Sequence, residues 1–214
     1  MGLRYWIMKL RESRKPLKSR FQSIYAEHRW SGGGSETRSG AGSTLEATAS
    51  IRESLPELIE ELHVSGLLDI GCGDFNWMKE IDLPTHYLGV DIVPEVIEEN
   101  KARYGSESID FLCLDACSAP IPSGYEMVLC REVLFHLSFK DGLSVIDGIK
   151  KSGASWLLTT TAPGSMDNKE IVSGGFRNID LEKKPYCFPA PRRMLKDDAV
   201  SANRNLALWR VKDL

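Results

Sequence analysis

Apolar positions along the chain fall into two rhythms. Residues 67–70, 86–90, 109–114, 125–130, 155–161 and 206–211 are short, mostly apolar runs of strand length, bounded by glycine, proline or acidic residues. Between them, Leu55, Leu58, Ile59 and Leu62, and later Leu143, Ile146 and Ile149, recur at spacings of three and four, the stripe of a helix packed on one side. Local signals predict where helices begin and end. Ser43-Thr44-Leu45-Glu46 fits a capping box, and Ser54-Leu55-Pro56-Glu57 repeats the signal with proline in the first turn. A short helix is expected over 75–80, another from Pro94 to about Tyr104, and a third from Ser138 to Gly153. Pro16 separates a first helix from one whose Phe21, Ile24 and Tyr25 share a face.

Strands and helices thus alternate five times, which predicts an α/β fold: a doubly wound, mostly parallel sheet that collects ligands at the carboxyl ends of its strands. The alternating run at 206–211 predicts an antiparallel edge strand. Before it, 163–168 reads as a long functional loop and 174–191 as a loop-rich hairpin region. Residues 1–42 read as a separate N-terminal region of basic helices and a Gly/Ser-rich loop, and 43–214 as the main domain.

Composition narrows the class of partner. With 214 residues, 42% hydrophobic and 27% charged, the chain has material for one good core. A net charge of -3 argues against a general nucleic-acid coat. The five cysteines are odd in number, and Cys113 and Cys117 lack the second pair that a zinc site needs, so reduced buried thiols and no metal are expected. With no apolar run of membrane-spanning length and no secretory leader, the expected location is the cytoplasm. Residues 1–20 are basic and interleaved with Tyr5, Trp6 and Leu10, a pattern that fits peripheral contact with an anionic membrane or an acidic partner, or packing on the body of the protein. The glycine-rich stretch after Trp30, with Arg38 inside it, reads either as a linker or as a lid over a ligand.

One segment asks for a particular chemistry. Asp69-Ile70-Gly71-Cys72-Gly73-Asp74 is a buried strand running into a tight turn, and Asp91 and Asp115 end the next two strands with acids. A nicotinamide dinucleotide fold would need a third glycine at position 76, where the chain has Asn. The segment, with the two acids in register, resembles the class I S-adenosylmethionine-dependent methyltransferases over roughly residues 43–161, which implies a Rossmann-like methyltransferase fold. The resemblance implies that the backbone at Gly71 and Gly73 lies under S-adenosylmethionine and that Asp69 helps hold its amino group. It further implies that Asp91, with Ile92 beside it, takes the ribose hydroxyls, and that Asp115, with Ala116 beside the ring, meets the adenine amine.

The segment 130–138 looks like this superfamily's turn after the fourth strand. His136 is the candidate general base, since imidazole titrates near neutrality. Arg131 is placed at the cofactor and the reacting end, holding a hydroxylated or anionic group or simply an ion pair. Cys130 sits where cytosine-C5 enzymes keep a nucleophile, but no proline precedes it, and no Asp/Asn-Pro-Pro-aromatic segment is present, so nucleic acid is not the expected acceptor. The irregular segments should wall the acceptor pocket through Trp30, Arg38, Trp77, Asp167, Asn168, Gly174, Arg177 and Arg192. The expected activity is O-methylation of a hydroxylated, sugar-like or glycan acceptor. The alternatives are a non-catalytic cofactor-binding module docking through its basic N-terminus, and an NAD(P)-dependent oxidoreductase.

Overall fold

The computed structural model describes residues 15–30, 36–164 and 166–214. The expected basic helix at 1–14 and the glycine cluster at 31–35 lie outside the described residues. Seven strands form one sheet: β1 (Gly66–Ile70), β2 (His86–Asp91), β3 (Ile109–Cys113), β4 (Met127–Cys130), β5 (Trp156–Thr161), β6 (Arg193–Lys196) and β7 (Asn205–Arg210). Their order is β3-β2-β1-β4-β5-β7-β6, with β1 to β5 parallel and β6 and β7 antiparallel at one edge. The chain winds outward from β1 to β3, then returns to place β4 on the other side of β1. The crevice created by that reversal lies at the carboxyl ends of β1 and β4.

Among the described residues four helices cover the sheet: α1 (Leu17–Ala26), α2 (Ala49–Glu61), α3 (Pro94–Tyr104) and α4 (Phe139–Ser152). Every residue of β1 is buried, and its neighbours Leu67 and Leu68 serve opposite faces because side chains alternate along a strand. Leu68, Ile70 and Val128 pack with Val145, Ile146 and Ile149 of α4 and with Phe21, Ile24 and Tyr25 of α1. On the other face Leu67, Leu129 and Leu158 pack with Ile51, Leu55, Leu58 and Ile59 of α2. Each such leucine, fully buried, stabilises the fold by about 1.5–3 kcal/mol. The apolar side of α1 therefore lies on the body of the protein. Among the described residues no helix is long and apolar enough to cross a membrane.

The helix α4 behaves as its sequence predicts: Ser138 Oγ accepts from the Asp141 N–H at 3.1 Å, and Gly153 ends it at φ 82°. Four expectations are corrected. The capping box at Ser43 does not form, because Ser43 closes a 3-10 turn with its N–H on the Gly40 carbonyl, and the Thr44 hydroxyl accepts from the Ala47 N–H instead. The two helices expected from Ser43 and Ser54 are replaced by a 3-10 turn at Ala41–Ser43 and the single helix α2, which runs through Pro56. An interior proline costs about 3 kcal/mol, and the four buried residues of the α2 stripe offset it. Residues 75–80 make only a 3-10 turn at Met78–Glu80, so no α-helix opens toward the end of β1. Full crossover helices join only β2 to β3 and β4 to β5, and the hairpin expected within 174–191 is instead formed by β6 and β7.

Candidate functional site

The carboxyl ends of β1, β2 and β4 open into one cleft of about 110 Å³. Its floor is the glycine turn. Gly71 and Gly73 have φ of 77° and 58°, the left-handed region where glycine is unstrained, and the N–H groups of Gly71 and Cys72 donate to the Val90 carbonyl at 2.7 and 3.1 Å. A side chain at Gly71 would collide with Val133, and one at Gly73 with Ser39. These glycines thus let the protein close on itself as well as leave backbone bare to a ligand.

Three acids stand around this turn. Asp69, in register with Gly89 of β2 and Leu129 of β4, is buried and accepts from the Tyr87 hydroxyl at 2.8 Å. Burial pushes its carboxyl up to about 7, the Tyr87 bond opposes this, and the charge of Asp91 adds to it. Asp91 accepts from the N–H groups of Gly73 at 3.2 Å and Val93 at 3.0 Å. Burial raises it to about 6 in spite of those donors. Asp115 accepts from the Cys117 N–H at 3.0 Å and the Ser118 hydroxyl at 2.9 Å, so part of its capacity already closes a local turn. Ile92 and Ala116 line the cleft beside them. Buried carboxyls raised toward neutrality are suited to a cation, which would favour their ionised form. The donor set therefore fits a nucleoside ligand bearing positive charge.

At the other end stand Arg131, His136 and two tryptophans. Arg131 is buried and clamped by Asp197, Nε to Oδ2 at 3.0 Å and Nη2 to Oδ1 at 2.8 Å, with its guanidinium 5.4 Å from the centre of the Trp77 ring. That clamp makes it a rigid wall of the cleft. His136 Nδ1 lies 2.7 Å from the Gly175 carbonyl oxygen, which can only accept, so the ring proton sits on Nδ1 and the lone pair on Nε2. Its ring stacks on Trp30 at 4.7 Å and meets Phe135 and Phe176 edge-on or tilted. Burial pushes the imidazole down to about 4, so it is neutral at physiological pH. Cys130 is buried, its thiol is pushed up to about 12 by burial, and it is no nucleophile.

The roof is α1. Leu17, Phe21, Tyr25 and Trp30 line the cleft, and a strap at residues 36–43 ties that roof to the glycine turn. Asp74 accepts from the Thr37 hydroxyl at 2.8 Å, the Arg38 N–H at 2.7 Å and the Ser39 hydroxyl at 2.8 Å. With the Ser39 proton so committed, Tyr25 donates its own to Ser39 Oγ, 2.9 Å away. Sequence reasoning passed over Tyr25, Ser39 and Asp74. The signal available for Asp74 was its place directly after Gly73.

The predicted acceptor wall is only partly assembled. Trp30 and Trp77 line the cleft, but Arg38 turns away to Glu99 at 2.6 Å. Asn168 is consumed by the Asp180 and Lys184 carbonyls, Arg177 donates to the Leu137 carbonyl and lies over Phe139, and Arg192 pairs with Asp213. Asp167 is exposed outside the cleft, and Gly174 contributes an N–H to the His136 carbonyl at 2.8 Å. Arg38, Asn168, Arg177 and Arg192 are thus each engaged by the protein itself.

Residues 68–154 match the family model described as a methyltransferase domain. A search against curated proteins returned no match. Among solved structures, human N-acetylserotonin methyltransferase in complex with S-adenosylmethionine aligns over 95% of this chain and 64% of its own, at TM-score 0.62 and 17% identity. Mitomycin 7-O-methyltransferase aligns over 78% of this chain and 54% of its own, at TM-score 0.58 and 18% identity. The N-methyltransferase NodS of Bradyrhizobium japonicum, bound to S-adenosylhomocysteine, aligns over 77% of this chain and 87% of its own, at TM-score 0.53 and 18% identity. The chain thus spans 64% and 54% of the lengths of the N-acetylserotonin and mitomycin methyltransferases, and at these identities the likeness is one of fold. Residues 68–154 thus match a methyltransferase domain, the fold is one that solved S-adenosylmethionine-dependent methyltransferases share, and the glycine turn with its strand-end acids fits S-adenosylmethionine as cofactor.

Proposed function

We propose that the protein transfers a methyl group to a hydroxyl oxygen of a small acceptor. The observation that carries this reading is His136, whose Nε2 lone pair is fixed at the cleft by the Gly175 carbonyl on its opposite nitrogen. When bound, the cofactor supplies an electrophilic methyl group on a sulfonium. Asp69 would hold its ammonium, Asp91 its ribose hydroxyls and Asp115 its adenine amine, with Ile92 and Ala116 against the rings and the backbone of Gly71 and Gly73 beneath. Arg131 keeps Trp77 in place through the Asp197 clamp and so positions the acceptor. Alignment of acceptor and methyl supplies much of the rate in such a displacement. His136 accepts the hydroxyl proton at Nε2 as the carbon–oxygen bond forms, because an imidazole held near 4 is too weak to ionise an alcohol beforehand.

The apolar faces of Trp30 and Trp77 support an acceptor with a flat side, a phenolic ring or the apolar face of a sugar or glycan end. The test is transfer from methyl-labelled S-adenosylmethionine to a panel of phenols, sugars and amines. A labelled methyl ether is the expected product. Transfer to nitrogen alone, or to RNA alone, would contradict the proposal, and cofactor binding with no transfer across the panel would favour a non-catalytic module.

A further inference from the structure

The hydrogen bond to the Gly175 carbonyl sets the tautomer of His136 but not the plane of its ring, because χ2 of histidine is a broad, roughly two-fold torsion. The backbone is fixed: His136 closes the 3-10 turn Leu134–His136, with its N–H on the Val133 carbonyl at 2.9 Å and its own carbonyl accepting from the Gly174 N–H at 2.8 Å. The plane is set by neighbouring rings. Trp30 lies against the imidazole at 27° and 4.7 Å between centres, whereas Phe135 and Phe176 meet it at 69° and 55°. Among the described residues Trp30 is the one ring stacked on it, a flat surface that keeps the imidazole from tipping.

Trp30 is itself held from two sides. Phe21 and Tyr25 of α1 meet its ring at 5.8 and 5.7 Å, and Gly40 of the strap passes so close that a Cβ there would stand 3.5 Å from Trp30 Cβ. The same helix reaches the other support of the base. Arg20 Nη1 donates to the Ser173 carbonyl at 3.0 Å, and Ile24 lies against Gly174, next to the residue whose carbonyl takes the Nδ1 proton. Both constraints on the imidazole thus run back to the roof of the cleft. The charged groups that act on His136 are Arg177 and Arg204, whose charge adds to burial in disfavouring the imidazolium. They do not orient the ring, since they bond to the Leu137 carbonyl and to Glu132 rather than to it.

We propose that Trp30 is a positioning residue for the base: its indole, stacked on His136 and fastened to α1 and the strap, holds the imidazole plane in which Nε2 meets the acceptor hydroxyl. The assignment rests on His136 being the base of the methyl transfer described above. Besides the apolar surface it offers an acceptor, Trp30 acts through His136. The helix that roofs the cofactor end therefore also assembles the reacting end, and the base is aligned only while α1 is docked.

The test compares Trp30→Leu, which keeps an apolar group against Phe21 and Tyr25 but has no flat face, with Trp30→Phe, which restores a flat face. The full chain, labelled with nitrogen-15 in its histidines and loaded with S-adenosylhomocysteine, is examined by NMR without any acceptor, the His136 signals being those absent from His136→Gln. Wild type and Trp30→Phe should show one neutral tautomer with the proton on Nδ1, and Trp30→Leu a mixture of the two tautomers, with all three proteins melting cooperatively. Labelled transfer should fall about 10–100-fold in kcat for Trp30→Leu, the scale of a misplaced reacting group, and recover in Trp30→Phe. A single Nδ1–H tautomer retained in Trp30→Leu, a mixture already present in wild type, or Trp30→Phe behaving as Trp30→Leu would overturn the role of Trp30. So would a fall in affinity for S-adenosylhomocysteine that matches the fall in kcat, since Trp30 would then be a cofactor contact. A mixed-tautomer Trp30→Leu with full transfer overturns His136 as the base and leaves its alignment by Trp30 standing, so the two readings fail separately.

Discussion

The two ends of the cleft are built in different ways. The cofactor end is made by neighbouring strands: Asp69, Gly71 and Gly73 follow one another in β1 and its turn, and Asp91 ends the strand directly paired to it. The acceptor end is made by segments far apart in the chain. Trp30 from beyond α1 stacks on His136 from beyond β4, whose tautomer is set by Gly175, and Arg131 is clamped by Asp197. Local geometry can specify a common ligand with few residues, whereas the acceptor depends on how distant loops meet.

If that contrast is right, damage at the two ends should separate cleanly. The largest effect belongs to the acceptor end. His136→Ala should lower kcat by about 10²–10⁴, the usual contribution of a positioned base, while cofactor affinity stays near wild type. Steady-state kinetics beside calorimetry check it, and a matching fall in cofactor affinity would show that the ends are not separate.

At the cofactor end the acids govern pH dependence. Asp69 and Asp91 titrate at about 7 and about 6 in the cofactor-free protein, and the cationic cofactor favours their ionised forms. Affinity for S-adenosylmethionine should therefore be level above pH 7 and fall about tenfold per pH unit below it, steepening under pH 6. The kcat profile, by contrast, should show no limb from His136 between pH 5 and 8, since that ring is neutral throughout. An affinity independent of pH between 5 and 8 would contradict the assignment of the acids.

The same acids oppose folding. Each has a folded pKa above its unfolded value near 4, so its contribution to stability is full below pH 4 and is lost as pH rises through 6 to 7. Asp69→Asn, which keeps an acceptor for Tyr87, should raise the melting temperature at pH 8 and leave it nearly unchanged at pH 4, while weakening the cofactor. A lower melting temperature at pH 8 would refute the burial cost. The smallest effect belongs to the join between roof and floor. Ser39→Ala removes a bond to Asp74 and one to Tyr25 and should cost about 1–2 kcal/mol in stability, read by denaturant titration.

The same contrast explains what could be read from the residues. The strand runs, the Ser138 and Gly153 ends of α4 and the two acids in register were legible because each is a local signal with a fixed spacing. The start of α2 was misread because Ser43 closes a 3-10 turn and its N–H goes to the Gly40 carbonyl, where a capping box would give it to Glu46. Asn168 looks like a pocket residue in sequence, but carbonyls of neighbouring segments take its amide, and nothing in the order of residues announces that.

The central claim is that the glycine turn and its acids hold S-adenosylmethionine. Calorimetric titration of the cofactor into wild type and Asp91→Ala tests it most directly. One site per chain in wild type, and affinity about a hundredfold weaker in a variant that still melts cooperatively, is the predicted result, the loss expected for charge-assisted bonds to both ribose hydroxyls. Equal affinity in the two proteins would place the cofactor somewhere other than this cleft.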